Sequence, residues 1–138
     1  MTRSLISYLY ALRSMTMIRF EFSRQLRLLR SREFERVYGH RCSTANDLLV
    51  LYGARNDLGF PRLGLTVSRK VGGAVRRNRW KRVIREALRL SQSELPALDL
   101  ICLPRPSATP CLSQLRQSLP KLAMRLEQKL RRQHDASS

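Results

Sequence analysis

Ten basic side chains of this 138-residue chain fall between Arg62 and Arg89: Arg62, Arg69, Lys70, Arg76, Arg77, Arg79, Lys81, Arg82, Arg85 and Arg89. Glu86 is the single acid among them. A guanidinium is a planar five-donor fork that grips phosphate bidentately and stacks on bases. The chemistry open to such a run is the binding of a nucleic-acid backbone. At about 100° per residue, Trp80, Val83, Ile84, Ala87 and Leu88 gather within about 140° of a helix circumference, a core-facing stripe. Asn78, Arg82, Arg85 and Arg89 fall on the other side, with Arg79 and Glu86 beside them. Lys81 and Arg77 flank the stripe, where long stems can snorkel. Like charges at i,i+4 each destabilise a helix by a few tenths of a kcal/mol, and only Glu86 is near enough to offset them. The face therefore reads as a nucleic-acid surface rather than a merely solvated one, and Trp80 reads as core.

Catalytic patterns are missing. No H-E-x-x-H occurs, and the acids Glu21, Glu33, Glu35, Asp47, Asp57, Glu86, Glu94, Asp99, Glu127 and Asp135 are scattered. Two-metal hydrolysis needs converging carboxylates. Glu33 and Glu35, two apart, do not face one site. His40 has no evident orienting partner, and its closeness to Cys42 reads as incidental. Gly72-Gly73 lacks the spacing of a nucleotide-binding loop and instead permits a tight entry to the helix, and the loop amides could still touch a backbone phosphate. The chain's own side chains are not expected to perform bond chemistry.

The elements that must position this surface follow from pattern. A basic, partly apolar arm, Phe22 to Arg30, leads into a short helix. Ser31 can cap that helix, Glu33 suits its first turn, and Gly39 ends it. Phe34, Val37 and Tyr38 share one side of it. A short strand is expected around Arg41 to Ala45. Leu48 to Tyr52 reads as a strand covered on both faces. A strand from about Arg62 to Ser68 alternates Leu63, Leu65 and Val67 with Gly64, Thr66 and Ser68. The small face can receive another backbone closely or be a packing detail. The basic helix runs from about Val75 to Ser91, Leu98 to Leu103 is a further strand, and the last helix spans about Leu112 to Arg132. Pro120 either kinks that helix or marks its beginning. Leu115, Leu119, Leu122, Leu126 and Leu130 form its buried stripe. The order predicts a single α+β domain, an α/β sandwich with one mixed sheet of about four strands and helices packed on it.

Composition agrees. Lys plus Arg number 27 against 10 Asp plus Glu, for a formal charge of +17. Such a chain is strained by self-repulsion until a polyanion relieves it. Three cysteines, Cys42, Cys102 and Cys111, with no CxxC spacing, fit a reducing, cytoplasmic setting without disulfides. No apolar run is long enough to span a membrane. Residues 1–21 read as an extension, disordered or upstream of a true start at Met15 or Met17. Residues 22–133 form the domain, and His134 to Ser138 a loose tail.

Arg77-Asn78-Arg79, within Ala74-Val-Arg-Arg-Asn-Arg-Trp-Lys-Arg-Val-Ile-Arg-Glu86, closely resembles the signature of the bacterial ribonuclease P protein subunit family. Arg62-Leu-Gly-Leu-Thr-Val-Ser-Arg-Lys-Val-Gly72 is similar to the strand and loop before that signature. Phe22-Ser-Arg-Gln-Leu-Arg-Leu-Leu and Arg32-Glu-Phe-Glu-Arg-Val-Tyr38 are similar to the family's arm and first helix. The resemblance implies a subunit that assists RNA-catalysed removal of the 5′ leader from precursor tRNA. The protein would bind the catalytic RNA and the leader, with Mg²⁺ held mainly by the RNAs and no obligate protein partner. It also implies a fold like domain 2 of ribosomal protein S5, with a left-handed βαβ crossover.

By the same resemblance, Arg76, Arg77, Asn78, Arg79, Lys81, Arg82, Arg85 and Arg89 contact the RNA subunit, although some of them could instead build the start of the helix. Phe34, Tyr38, Val50, Tyr52, Thr66, Ser68, Arg69 and Lys70 line the leader cleft, where aromatic faces can stack on unpaired bases. Spacing alone makes Phe34 core, whereas the resemblance makes it part of the cleft. The chain departs from the family in its long extension, in Leu103-Pro-Arg-Pro106 and in Pro120. Three alternatives stay open: a ribosomal-type RNA-binding protein without a catalytic role, a DNA-binding helix module, and a protein-only nuclease.

Overall fold

The structure is a computed structural model and describes residues 26–137. The extension over residues 1–21, its alternative starts, and the arm before Leu26 lie outside the described residues. Helix α1 (Ser31–Gly39) is followed by strands β1 (Ser43–Ala45), β2 (Leu49–Arg55) and β3 (Arg62–Leu65). A single tight turn of helix (Arg69–Val71) leads into α2 (Ala74–Ser91), then β4 (Leu98–Pro104) and α3 (Leu112–Ser137). The strands form one sheet in the order β1-β2-β4-β3. β1 and β4 run antiparallel to β2, and β3 runs parallel to β4, so the sheet is mixed as expected. The parallel pair is joined through α2. Beyond β3 the chain at Arg27 forms a further bridge to Leu63, with the Leu28 amide donating to the Leu63 carbonyl at 2.8 Å.

Period-two alternation divides the side chains between two faces. Leu49 and Leu51 of β2, Leu63 of β3, and Leu98, Leu100 and Cys102 of β4 point toward α2 and α3. There they meet Trp80, Ile84 and Leu88 together with Leu115, Leu119, Leu122, Leu126 and Leu130. The opposite face carries a smaller cluster in which Val37 of α1 packs with Leu28, Ala54 and Ile101. Trp80 is fully buried, as its position in the stripe requires. Cys42 and Cys102 are buried, and Cys111 is half-buried, each as a free thiol.

Several boundaries differ from the sequence reading, each for a physical reason. The central strand runs to Arg55, and it is not covered on both faces: Val50 and Tyr52 are only half-buried. The strand from Arg62 ends at Leu65, although the Thr66 amide still donates to the Cys102 carbonyl at 3.0 Å. Ser31 lies inside α1 rather than capping it; Arg30 holds the cap position with no side-chain bond. Gly39 is helical, and the left-handed residue after the helix is Arg41, at φ 51°. Pro120 is interior to a continuous α3. An interior proline costs a helix about 3 kcal/mol, against roughly 1.5–3 kcal/mol for each buried leucine, and five leucines outweigh it. The same helix continues through His134 to Ser137, where a loose tail was the expectation.

Candidate nucleic-acid interface

Helix α2 begins at a sharp corner. Gly72 adopts φ 146°, a conformation side chains rarely take. A Cβ there would stand 2.6 Å from Cδ of Arg76. Arg76 folds across this glycine, and its Nη2 donates to the Ala108 carbonyl at 2.6 Å. Its guanidinium thus ties the helix start to the 105–110 turn instead of facing a ligand. Gly73 meets nothing and leaves its carbonyl to the Arg77 amide at 3.0 Å. Arg77 is half-buried beside the apolar stripe, and its Nε is buried without a hydrogen-bond partner. Val75 stands 85% exposed at this corner, off the apolar face as the wheel places it.

One turn further on, the polar face gathers. Asn78, Lys81, Arg82, Arg85 and Arg89 line one open concavity of about 470 Å³, together with Glu86 and Arg27. Five of the eight residues nominated on this helix therefore share one surface. Arg79 is exposed but does not line it. Arg89 pairs with Glu86, its Nε donating to Oε2 at 2.9 Å, and this bond draws the Glu86 carboxyl below its ordinary pKa. The Arg85 guanidinium is also drawn below its usual value, first by burial and then by the charge of Arg27, which disfavours its charged form. Arg27 went unassigned in the sequence reading. Its arm is basic, but only the bridge to β3 brings it beside α2.

The α1 face of the sheet holds the second group. Phe34 lies directly on Gly64: a Cβ on that glycine would meet the Phe34 Cζ at 2.7 Å. The small-residue face of β3 therefore receives an aromatic ring, not a backbone. Phe34 is half-buried, between the two readings its spacing and resemblance gave. The Tyr38 hydroxyl shares a hydrogen bond of 3.1 Å with Oγ1 of Thr66. Its ring meets Tyr52 edge-on, with centroids 5.1 Å apart. Val50 is two residues from Tyr52 on the same face, opposite Leu103 in register. Ser68, Arg69 and Lys70 are exposed where the chain turns from β3 toward α2.

At one end of this face the structure reveals a group that residue spacing did not expose. Asp99 on β4 is completely buried. Arg62 grips it through Nε at 2.8 Å and Nη2 at 2.7 Å, and Asn56 donates to it at 2.8 Å. Arg36 of α1 donates to it as well, and gives a second bond to the Arg55 carbonyl at 3.0 Å. Glu33 of α1 closes the set on Arg62 at 3.1 Å. Burial alone would raise the Asp99 pKa, but the bonds from Arg62 and Asn56 and the charges of Arg62 and Arg36 hold it below the ordinary carboxylate value. Its partners come from three separate stretches of chain, so no local pattern could show it.

Among the described residues, no three His, Cys, Asp or Glu side chains stand close enough to hold a metal ion. Nor is any helix among them long and apolar enough to cross a membrane.

A model of the family described as ribonuclease P matches residues 22–127. The ribonuclease P protein component of Photorhabdus laumondii is 41% identical over 90 residues, covering 64% of this chain and 76% of its own. That of Salmonella paratyphi A is 44% identical over 86 residues, covering 62% and 72%. The solved ribonuclease P protein of Staphylococcus aureus superposes with a TM-score of 0.60 at 35% identity, covering 70% of this chain and 91% of that one. The protein from Thermotoga maritima gives 0.63 at 30%, covering 72% and 96%. A matched span that takes in the arm, the α1 face of the sheet and the basic helix, on a shared fold, leaves one assignment: this chain belongs to the ribonuclease P protein family, whose members assist an RNA enzyme in removing the 5′ leader of precursor tRNA.

Proposed function

We propose that the chain divides its RNA contacts between two surfaces of one small domain. Asn78, Lys81, Arg82, Arg85 and Arg89, joined by Arg27, bind the backbone of the catalytic RNA. Arg79 extends that contact, and Arg76 and Arg77 shape the start of the helix that presents it. Phe34, Tyr38, Val50, Tyr52 and Thr66 receive the single-stranded leader, and Ser68, Arg69 and Lys70 guide its phosphates toward α2. The observation that carries this reading is the shared concavity of α2, where five basic side chains face one carboxylate that Arg89 already engages.

In this reading the protein contributes no reacting group. Its contribution is orientation, which lowers the entropic cost of bringing substrate to the RNA catalyst, and neutralisation of phosphate charge. Magnesium is bound by the RNA subunit and substrate, no protein partner is required, and the setting is cytoplasmic. The test is precursor-tRNA cleavage at low Mg²⁺ by the protein alone, by the ribonuclease P RNA of the same organism alone, and by both. Efficient cleavage to a mature 5′ end only in the mixture is the expected result. Cleavage by the protein alone would overturn the division of labour. Arg27→Ala should weaken binding to the RNA subunit as Arg82→Ala does; unchanged binding removes Arg27 from the surface.

A further inference from the structure

We infer that the buried Asp99 cluster is a clamp that sets the rotation of α1, and that Arg36 is a positioning residue for the leader. The inference rests on the reading of the α1 face as the leader cleft. Around α1, at about 100° per residue, the side chains run in the order Arg36, Glu33, Val37, Phe34, Tyr38. Val37, at the centre, is fully buried against Leu28, Ala54 and Ile101. On one side of it, Arg36 and Glu33 reach the Asp99 cluster. On the other, Phe34 rests on Gly64 and Tyr38 bonds Thr66. The helix therefore has a charged edge that is tied down and an aromatic edge that lines the cleft.

The two edges cannot move independently. α1 has 9 residues and no side-chain cap, too short to hold its place by helix propensity. One buried valine fixes where it touches the sheet but not its roll about its own axis. The roll is set at the charged edge, where Arg36 links the Arg55 carbonyl at the end of β2 to Asp99 on β4. In register, Asp99 pairs with Ala54 and Arg62, and the next row on the same face is Tyr52, Ile101 and Gly64. Clamp and cleft are thus adjacent rows of one sheet. Releasing Arg36 lets α1 roll and displaces Phe34 and Tyr38 from Gly64 and Thr66.

The Arg36 side chain is 40% exposed, so the rival explanation is direct contact with a leader phosphate. Asp99, fully buried, has no access to RNA and separates the two. The experiment uses the full chain reconstituted with its RNA subunit, on precursor tRNAs carrying either a one-nucleotide leader or a leader of about ten nucleotides. For Arg36→Ala, the KM of the long-leader substrate is expected to rise about tenfold while the short-leader KM holds, with Arg36→Lys partly restoring it. Asp99→Asn should give the same leader-dependent rise, and the double variant should add little to either single one. Additive effects, or an Asp99→Asn protein that folds and binds the long leader normally, would overturn the clamp. If Asp99→Asn does not fold, the salt dependence of substrate binding by Arg36→Ala decides. An unchanged slope supports positioning, and a slope lower by about one marks a direct phosphate contact and sinks the inference. Wild-type holoenzyme with equal KM for both leaders would defeat the cleft reading itself. A wild-type leader preference left intact by Arg36→Ala would defeat the clamp alone.

Discussion

The polar face of α2 and the sheet face beneath α1 are built by opposite means. On α2 the functional groups come from one continuous helix and stand in solvent around an open concavity. Under α1 they come from α1, β2 and the chain that follows β3, and most are half-buried. On the proposed reading the first surface works through charge spread over several side chains, so one substitution weakens it without abolishing it. The second depends on shape, and its shape rests on a single buried carboxylate. A small domain can thus hold an adaptable grip on a large RNA and a stricter one on a short strand.

Substitutions can break or sharpen this contrast. The largest effect is expected at Asp99→Ala, which strips the half-buried Arg62 of its main acceptor and leaves it Glu33 alone. Loss of one member of a fully buried pair costs about 3–5 kcal/mol, and with Arg62 partly exposed and still held by Glu33 the cost falls at the low end of that range, read as a fall in urea midpoint. Because the folded-state pKa of Asp99 lies below its unfolded value, its stabilisation is fully present above about pH 4. It is lost as pH falls through the lower folded value, and urea melts between pH 5 and 2 should show a steeper loss in wild type than in the variant. Gly64→Ala comes next. The added methyl collides with Phe34, and overpacking of this kind costs about 1–3 kcal/mol. Long-leader affinity should fall with it, and unchanged affinity would detach Phe34 from the cleft. Tyr38→Phe removes the bond to Thr66 and should cost about 0.5–1.5 kcal/mol in thermal or urea melts. Arg82→Ala should change stability least, within about 0.5 kcal/mol, yet lower the salt slope of RNA binding by about one. A large stability loss there would mean that α2 is as tightly built as the cleft.

The same contrast explains what could be read from sequence. The α2 surface is local, so helical periodicity separated Trp80, Ile84 and Leu88 from Asn78, Arg82, Arg85 and Arg89. The five leucines of α3 were legible for the same reason. The resemblance put Arg76 among the RNA contacts or the builders of the helix start, and its bond to Ala108, which favours the second, depends on a turn far along the chain. Arg27 joins the concavity only through its bridge to Leu63. Asp99 looked like one scattered acid because its partners Arg36, Asn56 and Arg62 approach it only after the sheet has formed. The covered-strand reading failed at Val50 and Tyr52 because α1 is short and leaves part of the sheet open.

The pairing of Arg62 with Asp99, 37 residues apart, also bears on how the domain assembles. Closing that loop brings together β3 and β4 around a segment holding nine arginines and lysines against Glu86 and Glu94. Non-local strand pairing is slow because loop entropy is lost before the contacts form. Here mutual repulsion of the enclosed charges raises the barrier further. Added electrolyte should therefore speed folding of the free chain even as it weakens the grip on RNA, and the anionic partner itself becomes an aid to reaching the native state.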